Sequence, residues 1–234
     1  MRGSVPAMQI PTAEVASERL LLLGLAHLAA LGHDPSLADL ARAFQPAQDE
    51  LEATTTARGA AERAMVVPRV AVRFAERVVE EVIRRFANDT RSLDGKANGP
   101  IFGDAFPEGT LAETLPRAAA QVAAGLRVLD RLTTRSTLAP LRAEHEPALQ
   151  AAIAALRAAL DARQTAAATF ATAYANELAA REDWVRAYDA SAGTVRARYP
   201  RDRPRQELYF DPLRSAARRT DPDDDGEGGD TPAT

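Results

Sequence analysis

The sequence predicts an all-α fold: an elongated antiparallel helical bundle built from two tandem helical repeats of about 100 residues, with a disordered acidic C-terminal tail. Three observations point there. Alanine, the strongest helix former, supplies more than a fifth of the 234 residues. Apolar residues recur at three- and four-residue steps over long stretches, and no alternating β-branched pattern of useful length competes with them. Finally, the chain aligns with itself at an offset of 101 residues, with nine identities in the 27 positions from 21 to 47. These include Gly24/Gly125, Leu31/Leu132, Leu37/Leu138 and Pro46/Pro147. One residue further out of register, "EEVIRRF" (80–86) lines up with "EDWVRAY" (182–188).

Taken in order, residues 1–11 read as a flexible N-terminus and 12–94 as the first helical repeat. Thr12 is a cap for a helix reaching Leu31, with Gly32 closing it. Its run "LLLLGLAHLAAL" (20–31) would span only about 18 Å, against the roughly 30 Å of a bilayer core. The matching stretch of the second half contains Arg127, Asp130 and Arg131, so the pair reads as helices of a soluble protein. Asp34 or Ser36 can then cap the next helix, and Pro46 and Pro147 mark a new helix or a kink. Val72, Ala75, Val79, Val82 and Phe86 form a stripe, while Gly59 and Pro68 place a break ahead of it.

Residues 95–110 read as a connector loop in which Phe102 and Phe106 tuck onto the bundle end. Its "GKANGPIFGDAFPEG" lacks the GxxxxGK[ST] spacing of a phosphate loop, and no strand precedes it. Residues 111–212 form the second repeat. Its long seam runs through Leu149, Ile153, Leu156, Leu160, Ala167, Phe170, Tyr174, Trp184 and Tyr188, interrupted by Arg163 and Arg181. That is coiled-coil-like spacing facing a partner helix. The large anchors expected in the core are Leu25, Leu28, Leu31, Phe74, Phe86, Leu126, Leu129, Leu156, Phe170, Tyr174 and Trp184.

Charge divides the C-terminal end sharply. The stretch 196–219 carries eight arginines against three acids, and 221–234 carries six acids and no base. Residues 213–220 thus read as a basic linker and 221–234 as a disordered tail. Within "RYPRDRPRQELYFDP" (198–212), Arg198, Tyr199, Arg201, Arg203, Arg205, Tyr209 and Phe210 are the candidate partner or anion contacts. Arginines interleaved with aromatics can grip single-stranded nucleic acid, but the neighbouring acids oppose it. The leading reading folds the aromatics back onto the bundle, with the arginines at its rim.

No constellation for chemistry emerges. The chain has no cysteine, which excludes disulfides and thiolate metal sites. "EHE" at 144–146 sets two carboxylates around an imidazole, but adjacent helical residues diverge by about 100°, so it reads as a solvated connection. His27 reads as a satisfied core histidine, and Glu76, Glu80 and Glu81 with nearby arginines as an exposed salt-bridged face. The sequence therefore predicts a cytoplasmic, non-catalytic structural or protein-interaction module without cofactor or metal. A protein partner or self-association is expected. Nucleic acid is a weaker alternative, and a membrane is not expected.

Overall fold

The computed structural model describes residues 10–210, and within them every regular element is helical. The basic linker and acidic tail lie outside the described residues, as do residues 1–9. The chain forms two compact units: residues up to 49 join those from 181 onward, and residues 50–180 form the other. These units cut across the two sequence halves.

Helix α1 spans Ser17–Gly32 and buries Leu20, Leu23, Gly24, His27 and Leu31 along one face. It starts five residues after Thr12, with Ala16 in the cap position, so Thr12 is not its cap. A 3₁₀ turn at Pro35–Leu37 follows, where the Asp34 carboxylate accepts from the Ser36 N–H at 3.0 Å. Helix α2 then runs Ala38–Ala64 straight through Pro46. A single residue, Met65, separates it from α3 (Val66–Asp94), which places the break between Gly59 and Pro68.

Gly95 takes a left-handed conformation (φ 63°) to end α3, the position where glycine costs least. Asp94 reaches forward and accepts from the Ile101 and Phe102 N–H groups at 3.1 and 2.7 Å. Those donors open α4 (Pro100–Ala105), so the connector contains a short helix and not only loop. As expected, Phe102 and Phe106 are buried. Next come α5 (Thr110–Thr114), α6 (Ala119–Thr134) and a 3₁₀ turn at Ser136–Leu138. Helix α7 occupies Ala139–Arg198 without interruption, and α8 (Arg203–Glu207) closes the described chain. Pro46 and Pro147 both lie inside continuous helices, so neither begins a new one. The two 3₁₀ turns begin at 35 and 136, and the helices after them at 38 and 139, which is again an offset of 101.

The core of the 50–180 unit gathers Val72, Val79, Ile83 and Phe86 from α3 against Val128 and Leu132 of α6 and Leu149, Ile153 and Leu156 of α7. Each such side chain stabilises by roughly 1.5–3 kcal/mol when fully buried. Gly125 lets α6 approach closely: a Cβ there would fall 2.9 Å from Ile153 Cγ1. Gly24 plays the same part in the other unit, where a Cβ would lie 3.1 Å from Trp184 Cζ2 and drive into Gln48.

Of the eleven expected anchors, Leu31, Phe86, Leu156 and Trp184 are buried, Leu28, Leu129 and Phe170 are half-buried, and Leu25, Phe74, Leu126 and Tyr174 are 63, 69, 37 and 45% exposed. Leu25 and Leu126 follow the close-packed glycines and are turned about 100° off the buried face. Glu80 and Glu76 also depart from the exposed-face expectation. Glu80 is buried and accepts from Arg117 at 2.6 Å, and Glu76 accepts from the Ala118 N–H at 2.7 Å. Glu81, paired with Arg77 at 2.8 Å, is exposed as expected. The Glu113 carboxylate, 4% exposed, binds Arg127 and Arg131 at 2.8 Å each, so a buried acid is compensated on both oxygens.

Candidate functional site

The C-terminal arginine/aromatic segment resolves into a latch built around two residues the sequence reading did not assign to it, Asp34 and His27. Asp34 ends the α1 connection. Its Oδ1 accepts from the Ser36 N–H and hydroxyl, at 3.0 and 2.7 Å. Its Oδ2 accepts from the hydroxyls of Tyr199 and of Tyr209, the latter at 2.9 Å, with Arg205 Nη2 3.4 Å away. Tyr199 and Tyr209 stack with ring centroids 6.0 Å apart and planes 1° from parallel, and the Arg205 guanidinium lies 4.0 Å from the Tyr199 ring centroid. The Tyr199 hydroxyl, followed by those of Ser36 and Tyr209, holds the Asp34 carboxyl well below the usual carboxylate range. Desolvation, with Asp34 beside it, pushes the Tyr209 phenol up to about 12.

Beneath this cap lies His27, fully buried. The Tyr209 carbonyl can only accept, so His27 Nδ1–H donates to it at 2.7 Å. That leaves Nε2 to accept from the Ser191 hydroxyl at 2.7 Å. Phe210 stacks on the imidazole at 4.8 Å, and Phe44 and Tyr188 flank it at 5.1 Å each. Both ring nitrogens are thus satisfied, and burial lowers the pKa below 6.5, which favours the neutral ring.

Of the seven candidate contacts, the structure brings Tyr199, Arg205, Tyr209 and Phe210 together in this latch. Tyr209 and Phe210 are 7 and 6% exposed and face inward. Arg198, Arg201 and Arg203 remain outside, exposed. Arg203 pairs with Glu207 at 2.9 Å, and Arg201 occupies the turn before α8 in a left-handed conformation (φ 71°). The sequence does carry a signal for one of the missing members: Asp34 is a cap candidate, and a carboxylate with spare lone pairs attracts phenols. Nothing local, however, tied position 34 to positions 199 and 209.

This arrangement makes stability depend on pH with a definite sign. The folded-state pKa of His27 lies below its unfolded value of about 6.5, so the unfolded chain takes up a proton first on acidification. Stability should be full above that value and fall below it, with a slope of up to about 1.4 kcal/mol per pH unit from this group. Asp34, also depressed, adds a further loss below about pH 4. Urea midpoints measured at pH 7.5, 6 and 5 check this, and His27→Gln should flatten the decline between 6.5 and 5. An unchanged decline in that variant would remove His27 as its source.

A second polar cluster lies in the 50–180 unit. Asp89 of α3 and Glu144 and His145 of α7 each offer a ligand atom within 4.8 Å of the others'. The "EHE" stretch is thus part of a helix, not a solvated connection, and its histidine is 1% exposed. The same unit has a groove of about 660 Å³ lined by Met65, Val122 and Leu160 with Arg69, Arg157 and Arg163, all three arginines exposed. No helix among the described residues is long and apolar enough to cross a membrane. No known protein family, curated protein or solved structure matches the chain.

Proposed function

We propose that the protein is a non-catalytic helical interaction module that associates with a second copy of itself through α3. The observation that carries this reading is an apolar stripe left exposed on that helix: Val67, Phe74 and Val78 are 74, 69 and 46% exposed. These positions recur at seven- and four-residue steps, so they share one face. Exposed charges flank them, with Arg69 and Arg73 toward the N-terminal end and Glu81, Arg84 and Arg85 toward the C-terminal end. An antiparallel copy would set Phe74 near Val78 and pack the two apolar stripes against each other. Inward folding of Tyr209 and Phe210 also supports this reading, because those side chains are already spent on the latch.

Light scattering on a sizing column tests it. A dimer that persists in high salt is expected, because its contact is apolar at the centre. Phe74→Glu should return it to a monomer with unchanged helicity. A monomeric wild-type chain at high micromolar concentration would sink the proposal.

A second reading, anion or single-stranded nucleic-acid binding, rests on Arg198 and Arg201. Both are exposed and have no ion partner among the described residues. It requires affinity for a homopolymer that falls steeply with salt and drops when both are replaced.

A further inference from the structure

We infer that Asp89, Glu144 and His145 form a binding site for a divalent first-row metal ion, with Zn²⁺ the best fit. The argument begins with the imidazole. His145 is 1% exposed, with the Phe86 ring centroid 5.2 Å away, in a setting where an apolar side chain would serve. At the position 101 residues earlier the chain uses Phe44, which is equally buried. His145 Nε2 is nonetheless turned toward Asp89, with Oδ2 2.9 Å away. The carboxylate lies off the line an N–H donor would need, so the nitrogen is buried without a hydrogen bond despite that short distance. A buried polar atom with no hydrogen bond calls for an explanation, and a metal ion accepts a nitrogen lone pair in just such a position.

The surrounding donors complete the case. Asp89 is half-buried and Glu144 exposed, so the site has one fixed ligand in the core and two carboxylates open to the surface. Bonds of about 2.0–2.2 Å in a tetrahedral site require ligand atoms roughly 3.4 Å apart. The 2.9 Å pair must open slightly and the widest separation, within 4.8 Å, must close. The two carboxylate side chains can make both adjustments while His145 keeps its place. Two oxygens and one imidazole nitrogen favour zinc over magnesium or calcium, which take oxygen-only shells. Three protein ligands leave a fourth position for water. The ion would bridge α3 and α7 within one unit, so its binding would also stabilise that unit.

The test uses the full chain, freed of metal by chelator and titrated calorimetrically with Zn²⁺ and, separately, with Mg²⁺. One Zn²⁺ per chain is expected, with Mg²⁺ much weaker and Co²⁺ giving the visible absorption of a low-coordinate site. Zn²⁺ should raise the unfolding temperature. Asp89→Asn and Glu144→Gln, both at accessible positions, should each weaken Zn²⁺ by at least about 10-fold. His145→Phe, which imitates position 44, should abolish the site and keep the helical circular dichroism. Absence of stoichiometric Zn²⁺ binding overturns the inference, as does an affinity that neither carboxamide variant changes. If His145→Phe fails to fold, those two variants decide the matter alone.

Discussion

Replacing Trp184 with alanine is expected to cost about 3–5 kcal/mol of unfolding free energy, read as a lowered urea midpoint by far-ultraviolet circular dichroism. Trp184 is fully buried and stacks on Tyr188 with ring centroids 4.8 Å apart. Phe44 meets it edge-on at 5.5 Å. Its Nε1–H also donates to Gln48 Oε1 at 2.8 Å, while Gln48 Nε2–H donates to the Leu21 carbonyl at 3.0 Å. One side chain therefore anchors both the aromatic stack and a polar clip onto α1. Trp184→Phe separates the two contributions: it keeps most of the stack and leaves Gln48 Oε1 without its donor, a loss of about 1–3 kcal/mol. A domain has only about 5–15 kcal/mol in total, so the alanine variant should be partly unfolded near body temperature. A shift below about 1 kcal/mol would mean that Trp184 is not packed as described.

Phe86→Ala should have a similar effect in the 50–180 unit, about 3–5 kcal/mol. Phe86 is fully buried, with Phe106 at 5.5 Å and His145 at 5.2 Å. Its removal leaves a cavity that α3 and α7 cannot close without shifting the 3.6-residue register of their other contacts. Phe86→Leu, which restores most of the volume, should recover all but about 1.5 kcal/mol. Equal losses for the two variants would point away from cavity formation. Trp184 belongs to the other unit, so its fluorescence asks whether damage at Phe86 is felt there.

Much of the helical content could be read from periodicity. Val72, Val79 and Phe86 repeat every seven residues and are all buried, because a recurring apolar face has nowhere else to go. Leu149, Ile153, Leu156, Trp184 and Tyr188 follow the expected seam and are buried too. Between them the seam runs into solvent: Ala167 is exposed and Tyr174 45% exposed. Periodicity fixes which residues share a face, not how far along the helix that face is covered. The leucine-rich α1 gave the opposite difficulty, since leucines on every side conceal the buried face. Glycine was the better guide there, because close approach requires it at Gly24 and Gly125. The latch was half legible. Tyr199, Arg205, Tyr209 and Phe210 could be singled out by composition, but Asp34 and His27 could not be joined to them. Asp89 was likewise invisible as a neighbour of His145, because pairing of α3 with α7 is a tertiary fact.

The latch also sets a timetable. His27 and the Tyr209 carbonyl are separated by 182 positions. Residues 50–180, in contrast, are contiguous. As the chain is synthesised from its N-terminus, everything needed for the Val79–Phe86–Leu149 core is available before Trp184 or Tyr188 exists. That unit can close early, at the smaller loop-closure cost of nearer contacts. Helix α1 must wait, with Leu20, Leu23 and Leu31 still uncovered, until the other end of the chain arrives. During that interval the newborn protein carries an apolar helix in search of a partner, which is when chaperones would engage it and when neighbouring chains on one messenger would be most prone to tangle.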